Sequence, residues 1–150
     1  ETYINSGNIF FTSTDAKAQL VEKLEAFFEV HYPFIQSFSL LSLEDFEAEI
    51  ENLPEWWTKD LARKDVLFYT ESLDVAQVIE KVESLELKDE VVHFGKLGIF
   101  WGKISEKSYY ATAYHKHLLK MPFYRNITIR NAKTFDKIGQ MLKNKKGDTQ

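Results

Sequence analysis

The chain has 150 residues, of which 44% are hydrophobic, 15% aromatic and 28% charged; this excludes disorder and collagen-like repeats and is enough to close a sizeable core. With no Cys it has no disulfide framework, thiolate metal site or cysteine nucleophile. Its net charge of −4 is uneven, because residues 1–95 hold 7 Lys+Arg against 20 Asp+Glu and residues 96–150 hold 12 against 3.

Such asymmetry marks either an anion-binding surface on the basic part or two parts that attract one another. The acidity of the whole weighs against general affinity for nucleic acid. No apolar run approaches the roughly 18 residues that span a bilayer, and no leader pattern opens the chain. The expected setting is the cytoplasm, with no membrane partner.

Taken in order, Thr2–Asn5 and Ile9–Thr12 read as two strands around Asn5-Ser6-Gly7-Asn8, a tight-hairpin signal. Ser13-Thr14-Asp15 offers caps, and Leu20, Val21, Leu24, Phe27, Phe28 and His31 recur at helical spacing until Pro33. An amphipathic helix is predicted over residues 15–31. The apolar, Ser-interleaved run Phe34–Leu41 reads as a strand. From the Ser42 cap, Leu43, Phe46, Ile50 and Leu53 trace a short helix closed by Pro54. Glu55–Asp60 reads as loop.

A second pattern opens with the strand Asp65–Thr70, followed by a helix over Asp74–Leu85 with Val75, Val78, Ile79, Val82 and Leu85 on one side. Glu90–Phe94 and Leu97–Ile104 read as strands joined across Gly95-Lys96, and Ser108–Leu119 as a helix broken by Met121-Pro122. Ile127–Arg130 is a brief strand. Asn131 caps a last helix predicted to end near Leu142, with a frayed tail after it.

The order from Asp65 onward is β-α-β-β-α-β, the ferredoxin-like arrangement, and the first part is the same order without its opening β-α. In such a unit the first strand is central, so its loss leaves a gap in the sheet. The expected fold is therefore α+β, with two intertwined ferredoxin-like lobes. The first lobe takes residues 1–53 and lacks its opening strand and helix; a connecting loop covers 54–64, the second lobe 65–142 and a flexible tail 143–150. A strand and helix upstream of Glu1, or an exchanged protomer, are expected to fill the gap.

The run Thr2–Phe11 resembles the first signature of a bacterial family, domain of unknown function 1697. Ile127-Thr128-Ile129-Arg130-Asn131-Ala132-Lys133-Thr134-Phe135 resembles its second. The resemblance implies two intertwined ferredoxin-like halves, an N-terminal strand and helix, and no known activity. Ala132 departs from the Trp common after the Arg-Asn pair, so no role resting on that ring carries over.

Arg130-Asn131 is the most suggestive place, because a helix N-terminus presents free N–H groups and an adjacent Arg adds charge for phosphate or carboxylate. Thr134 and Lys137 follow in the first turns, Lys116 and Lys120 stand four apart on the preceding helix, and Arg125 lies between. The bland alternative is a capped helix with solvated lysines. His115 and His117 diverge by about 200° on a helix and cannot share an ion. No metal, cofactor or catalytic motif is expected.

Lys96–Gly102 falls where RNA-recognition folds carry stacking aromatics, with Phe68-Tyr69 on the other stacking strand. Parity opposes an open platform. Leu97, Ile99 and Trp101 share one face and Phe100 takes the other, while Val66 and Phe68 oppose Leu67 and Tyr69, so both faces read as covered. The primary reading is a binding or interaction protein with a small anionic ligand near Arg130. Its alternatives are a single-strand nucleic-acid binder and an enzyme whose site lies partly in the absent N-terminal segment.

Overall fold

Four antiparallel strands in the order β4-β5-β3-β6 carry the fold: β3 (Arg63–Tyr69), β4 (Glu90–Phe94), β5 (Gly98–Lys103) and β6 (Ile127–Asn131). This is a computed structural model and describes residues 2–3 and 7–148. A separate two-stranded pair, β1 (Thr2–Tyr3) and β2 (Asn8–Ile9), precedes them. The predicted Asn5-Ser6 part of its turn lies outside the described residues. The helices are α1 (Lys17–His31), α2 (Leu43–Glu51), α3 (Val75–Glu83), α4 (Ala113–Lys116) and α5 (Ala132–Asp148), an α+β composition.

Local caps set two of these helices where the sequence placed them. Ser42 Oγ accepts from the Asp45 N–H at 3.1 Å and Asp74 Oδ1 from the Gln77 N–H at 3.2 Å, each satisfying an orphan donor of the first turn. α3 turns Val78 and Val82 inward from its predicted stripe.

Both faces of the sheet are covered, as strand parity requires. Leu67, Tyr69, Ile99 and Trp101 pack against α3 and the Ala113–Phe123 region. Val66, Phe68 and Phe100 pack against Phe46 of α2, Trp57, and Phe135 and Ile138 of α5. Phe100 and Trp101 are 0% and 1% exposed, so neither ring is open to stack a base, and the RNA-platform reading is closed.

Several expectations are corrected. Residues 35–42 form no strand, although they carry an apolar pattern; backbone pairing needs an adjacent strand, and the segment is tied down singly, by Phe38 O accepting from Glu71 N at 3.1 Å and by Ser39 Oγ donating to Tyr69 O at 2.8 Å. α1 forms but buries none of its residues, leaving Phe27 and Val30 47% and 75% exposed. Trp57 is core rather than loop: it sits in a 3-10 turn, Glu55–Thr58, its ring 5.0 Å from that of Phe100. The expected flexible tail is instead helical as far as Asp148, where Lys146 of α5 reaches Glu47 of α2 at 3.4 Å.

The predicted Ser108–Leu119 helix is broken into a 3-10 turn (Glu106–Ala111), α4 and a further 3-10 turn (Leu118–Lys120). The cause lies elsewhere in the chain. Glu90 accepts from the Ala113 and Tyr114 N–H groups at 2.7 and 3.1 Å, donors that a continuous helix would have spent internally.

The β4–β5 turn is centred one residue later than predicted, on Lys96-Leu97, with Gly95 N–H donating to Gly98 O at 2.9 Å. Gly95 answers to tertiary structure. A Cβ there would lie 1.7 Å from Glu49 Oε1, whose carboxylate accepts from the Lys96 and Leu97 N–H groups. Gly98 likewise serves close approach, since a Cβ would sit 2.5 Å from Leu67 O on β3.

Candidate functional site

A cleft of about 1130 Å³ opens beside β6, lined by residues 7–13 after β1, by α1 and the 34–43 segment, and by the outer half of α5. Its floor is apolar: Phe10, Phe38, Leu41, Phe68 and Ile138 all contribute. The size exceeds the roughly 300–1,000 Å³ usual for a small-molecule pocket.

The charged residues of the lining are mostly cationic. Lys17, Arg125, Arg130, Lys145 and Lys146 stand against Asp15 and Asp45. Both acids have partners, Asp15 with Lys23 at 2.6 Å and Asp45 with Lys96 at 3.6 Å. Arg130 is half-buried on the sheet face it shares with its ladder partner Val66, donating from Nε to Asn8 Oδ1 at 2.9 Å and from Nη1 to Ile129 O at 2.8 Å. Burial lowers its affinity for the proton, but a guanidinium remains charged. β6 thus presents a fixed cation beside an apolar floor.

The predicted site residues are brought together only in part. Arg125 and Arg130 line the cleft; Lys116, Lys120, Asn131, Thr134 and Lys137 do not. Lys116 and Lys120 belong to α4 and the turn after it, whose Ala113, Tyr114 and Leu118 pack on the opposite sheet face, which separates them from Arg130. Asn131 Oδ1 accepts from the Thr134 N–H at 2.8 Å, so the cap consumes a donor that the anion reading had left open. Thr134 is buried and Lys137 is exposed on α5. Sequence reading missed Lys145 and Lys146, which it placed in the tail, and missed the aromatic wall from the 34–43 segment.

A second polar cluster lies on the opposite face of the sheet, the one that carries Trp101 and Tyr114. Lys103 is 1% exposed, its Nζ 3.6 Å from the Tyr114 ring centroid and 4.4 Å from that of Tyr109, with no hydrogen-bond partner among the described residues. On the flanking strands stand Arg63, which donates to Asp65 Oδ2 at 2.7 Å, and Glu90. Burial first, then the Arg63 charge, pushes the Lys103 ammonium down to about 8, against smaller opposing effects of Asp65 and Glu90. An ordinary Lys titrates near 10.4, so between these values the unfolded chain holds a proton that the folded one has lost. Stability attributable to Lys103 therefore rises with pH across that window. Urea unfolding at pH 7.5 and 9.5 should show the wild type gaining about 2 kcal/mol more than Lys103→Met, which has no such proton to lose. Equal pH dependence in the two proteins would contradict the depressed value.

Among the described residues no group of three or more His, Cys, Asp or Glu side chains is placed to hold a metal ion, and no helix is long and apolar enough to cross a membrane.

Residues 1–100 match the model of a family described as Protein of unknown function (DUF1697). The chain belongs to that family. No curated protein matches it. Among solved structures it is similar to the conserved bacterial protein SP0830 from Streptococcus pneumoniae, at 84% identity with a TM-score of 0.93, over 95% of this chain and 79% of that one. The family match stops before β6 and α5, so the Arg125–Arg130 wall lies outside it, while the structural likeness extends over nearly the whole chain.

Proposed function

We propose that the protein is a cytoplasmic binding protein that holds an anionic ligand in the cleft beside β6, against Arg125 and Arg130. One observation carries the reading: the half-buried Arg130 guanidinium, fixed by Asn8, in a lining whose two acids are each paired with a lysine. A positioned cation beside apolar surface holds phosphate or carboxylate more strongly than one in open water, because the local dielectric is lower. Lys145 and Lys146 also line the cleft from α5, Lys146 being paired there with Glu47 at 3.4 Å. Lys116, Lys120 and Lys137 are left out of the proposed site.

Inorganic phosphate is the simplest probe. Titrated against labelled protein at low salt, it should shift the Thr128–Asn131 amides saturably, and Arg130→Gln should weaken that binding about tenfold or more. Asn8→Ala, which removes the side chain that orients the guanidinium, should weaken it less. Shifts confined to α4, or the same affinity in Arg130→Gln, would remove the anion from this cleft.

A further inference from the structure

We infer that the sheet face away from the cleft is an interface with a second copy of this chain, in which α3 of one protomer lies against the 107–120 segment of the other about a two-fold axis. The inference does not rest on the anion reading, because none of the residues it uses lines the cleft.

α3 and the 107–120 segment form the outer layer of that face. Val78 and Val82 of α3, and Ala113, Tyr114 and Leu118 of the segment, pack on the sheet, which turns their neighbours outward. Glu80 and Glu83 of α3 and Glu86 just after it are exposed, as are Lys107, Lys116 and Lys120. Among the described residues none of these six is in an ion pair. The signs are segregated: residues 74–89 hold five acids against two lysines, and residues 104–120 hold three lysines against the single acid Glu106. Two patches of opposite sign on one face are what a two-fold contact needs, because the axis carries each patch onto the other. An acidic peptide or a nucleic acid would meet the lysines but be repelled by α3.

Apolar surface adjoins both patches. Leu87 follows Glu86, Leu119 precedes Lys120, and both are exposed together with Ile104 and Tyr110, the last at 73%. Contacts hold this surface together. Ile104 N–H donates to Asp89 O at 3.0 Å, two residues after Leu87, and Ser108 Oγ donates to the Asp89 carboxylate, which ties down the turn carrying Tyr110. The Tyr110 and His115 rings have centroids 4.9 Å apart, and Leu119 comes four residues after His115. Such apolar surface supplies the affinity of a contact, while the charges, each weak when solvated, set its register and its partner.

Sedimentation velocity on the 150-residue protein, from about 1 µM to about 1 mM, tests the inference. At low salt a monomer–dimer equilibrium is expected, weakened about tenfold or more near 0.5 M salt as the opposed charges are screened. Two double variants, Lys116→Glu with Lys120→Glu and Glu80→Lys with Glu83→Lys, are first checked for folding by circular dichroism. Each alone should dimerise about tenfold or more weakly than wild type, because it sets like charges against each other. An equimolar mixture of the two should recover the dimer, since each supplies the charges that the other has reversed. Phe27→Asp on α1 should leave the dimer unchanged. The proposal is overturned by a monomer at every concentration, by assemblies that grow beyond the dimer, by charge variants that dimerise like wild type, or by a mixture that stays monomeric. It is equally overturned by a dimer lost in Phe27→Asp, which would place self-association on α1.

Discussion

Phe135→Ala should cost about 3–5 kcal/mol of folding free energy. Phe135 is 1% exposed, and its ring lies 4.8 Å from that of Phe46, 5.4 Å from Phe100, 5.5 Å from Trp57 and 6.2 Å from Phe68. Those rings come from α2, β5, the 3-10 turn and β3, so no one element can move in to close the cavity. A domain of this size is stable by about 5–15 kcal/mol, and such a loss brings it near the threshold. Urea unfolding followed by Trp fluorescence measures it. Phe135→Leu, which keeps most of the volume, should cost about 1.5 kcal/mol. A loss under about 1 kcal/mol in the alanine variant would mean that α5 is not seated on this face of the sheet.

The second large effect is expected at Glu90. Its buried carboxylate accepts from Trp101 Nε1 at 2.9 Å, Ala113 N–H at 2.7 Å, Tyr114 N–H at 3.1 Å and Lys88 N–H at 3.0 Å. Each oxygen serves two donors. Glu90→Ala leaves all four without their acceptor, at a cost of about 3–5 kcal/mol. Glu90→Gln should be almost as damaging, because whichever way the amide turns its NH₂ faces two N–H donors. The region held by these bonds, residues 105–116, should lose hydrogen-exchange protection first in both variants. If the Gln variant stayed within about 1 kcal/mol of wild type, the carboxylate would not be the organiser of that region.

Both residues show where reading a sequence stops. Phe135 was legible as a helix residue after the Asn131 cap, but its place among four rings depended on which face of the sheet α5 covers. Glu90 carried no signal at all: it was the first residue of a predicted strand, and its role depends on a helix start 23 residues away being brought against it. The site was legible to the same degree. Arg125 and Arg130 were singled out and do line the cleft, whereas Lys116 and Lys120, close in sequence, are carried to the opposite sheet face by α4.

By itself the sequence determined what depends on neighbours a few residues apart. The Ser42, Asp74 and Asn131 caps, the Val78–Val82 stripe and the alternation along Val66–Tyr69 and Ile99–Trp101 are local hydrogen bonds and local periodicities, complete within one element. Tertiary structure alone decided what needs a partner from afar. It broke the 108–119 helix where the Glu90 carboxylate required free N–H donors, and it demanded Gly95 where Glu49 fills the space of a side chain. Residues 35–42, with the composition of a strand, form none for the same reason: a strand is made by pairing, and among the described residues no strand is paired with them.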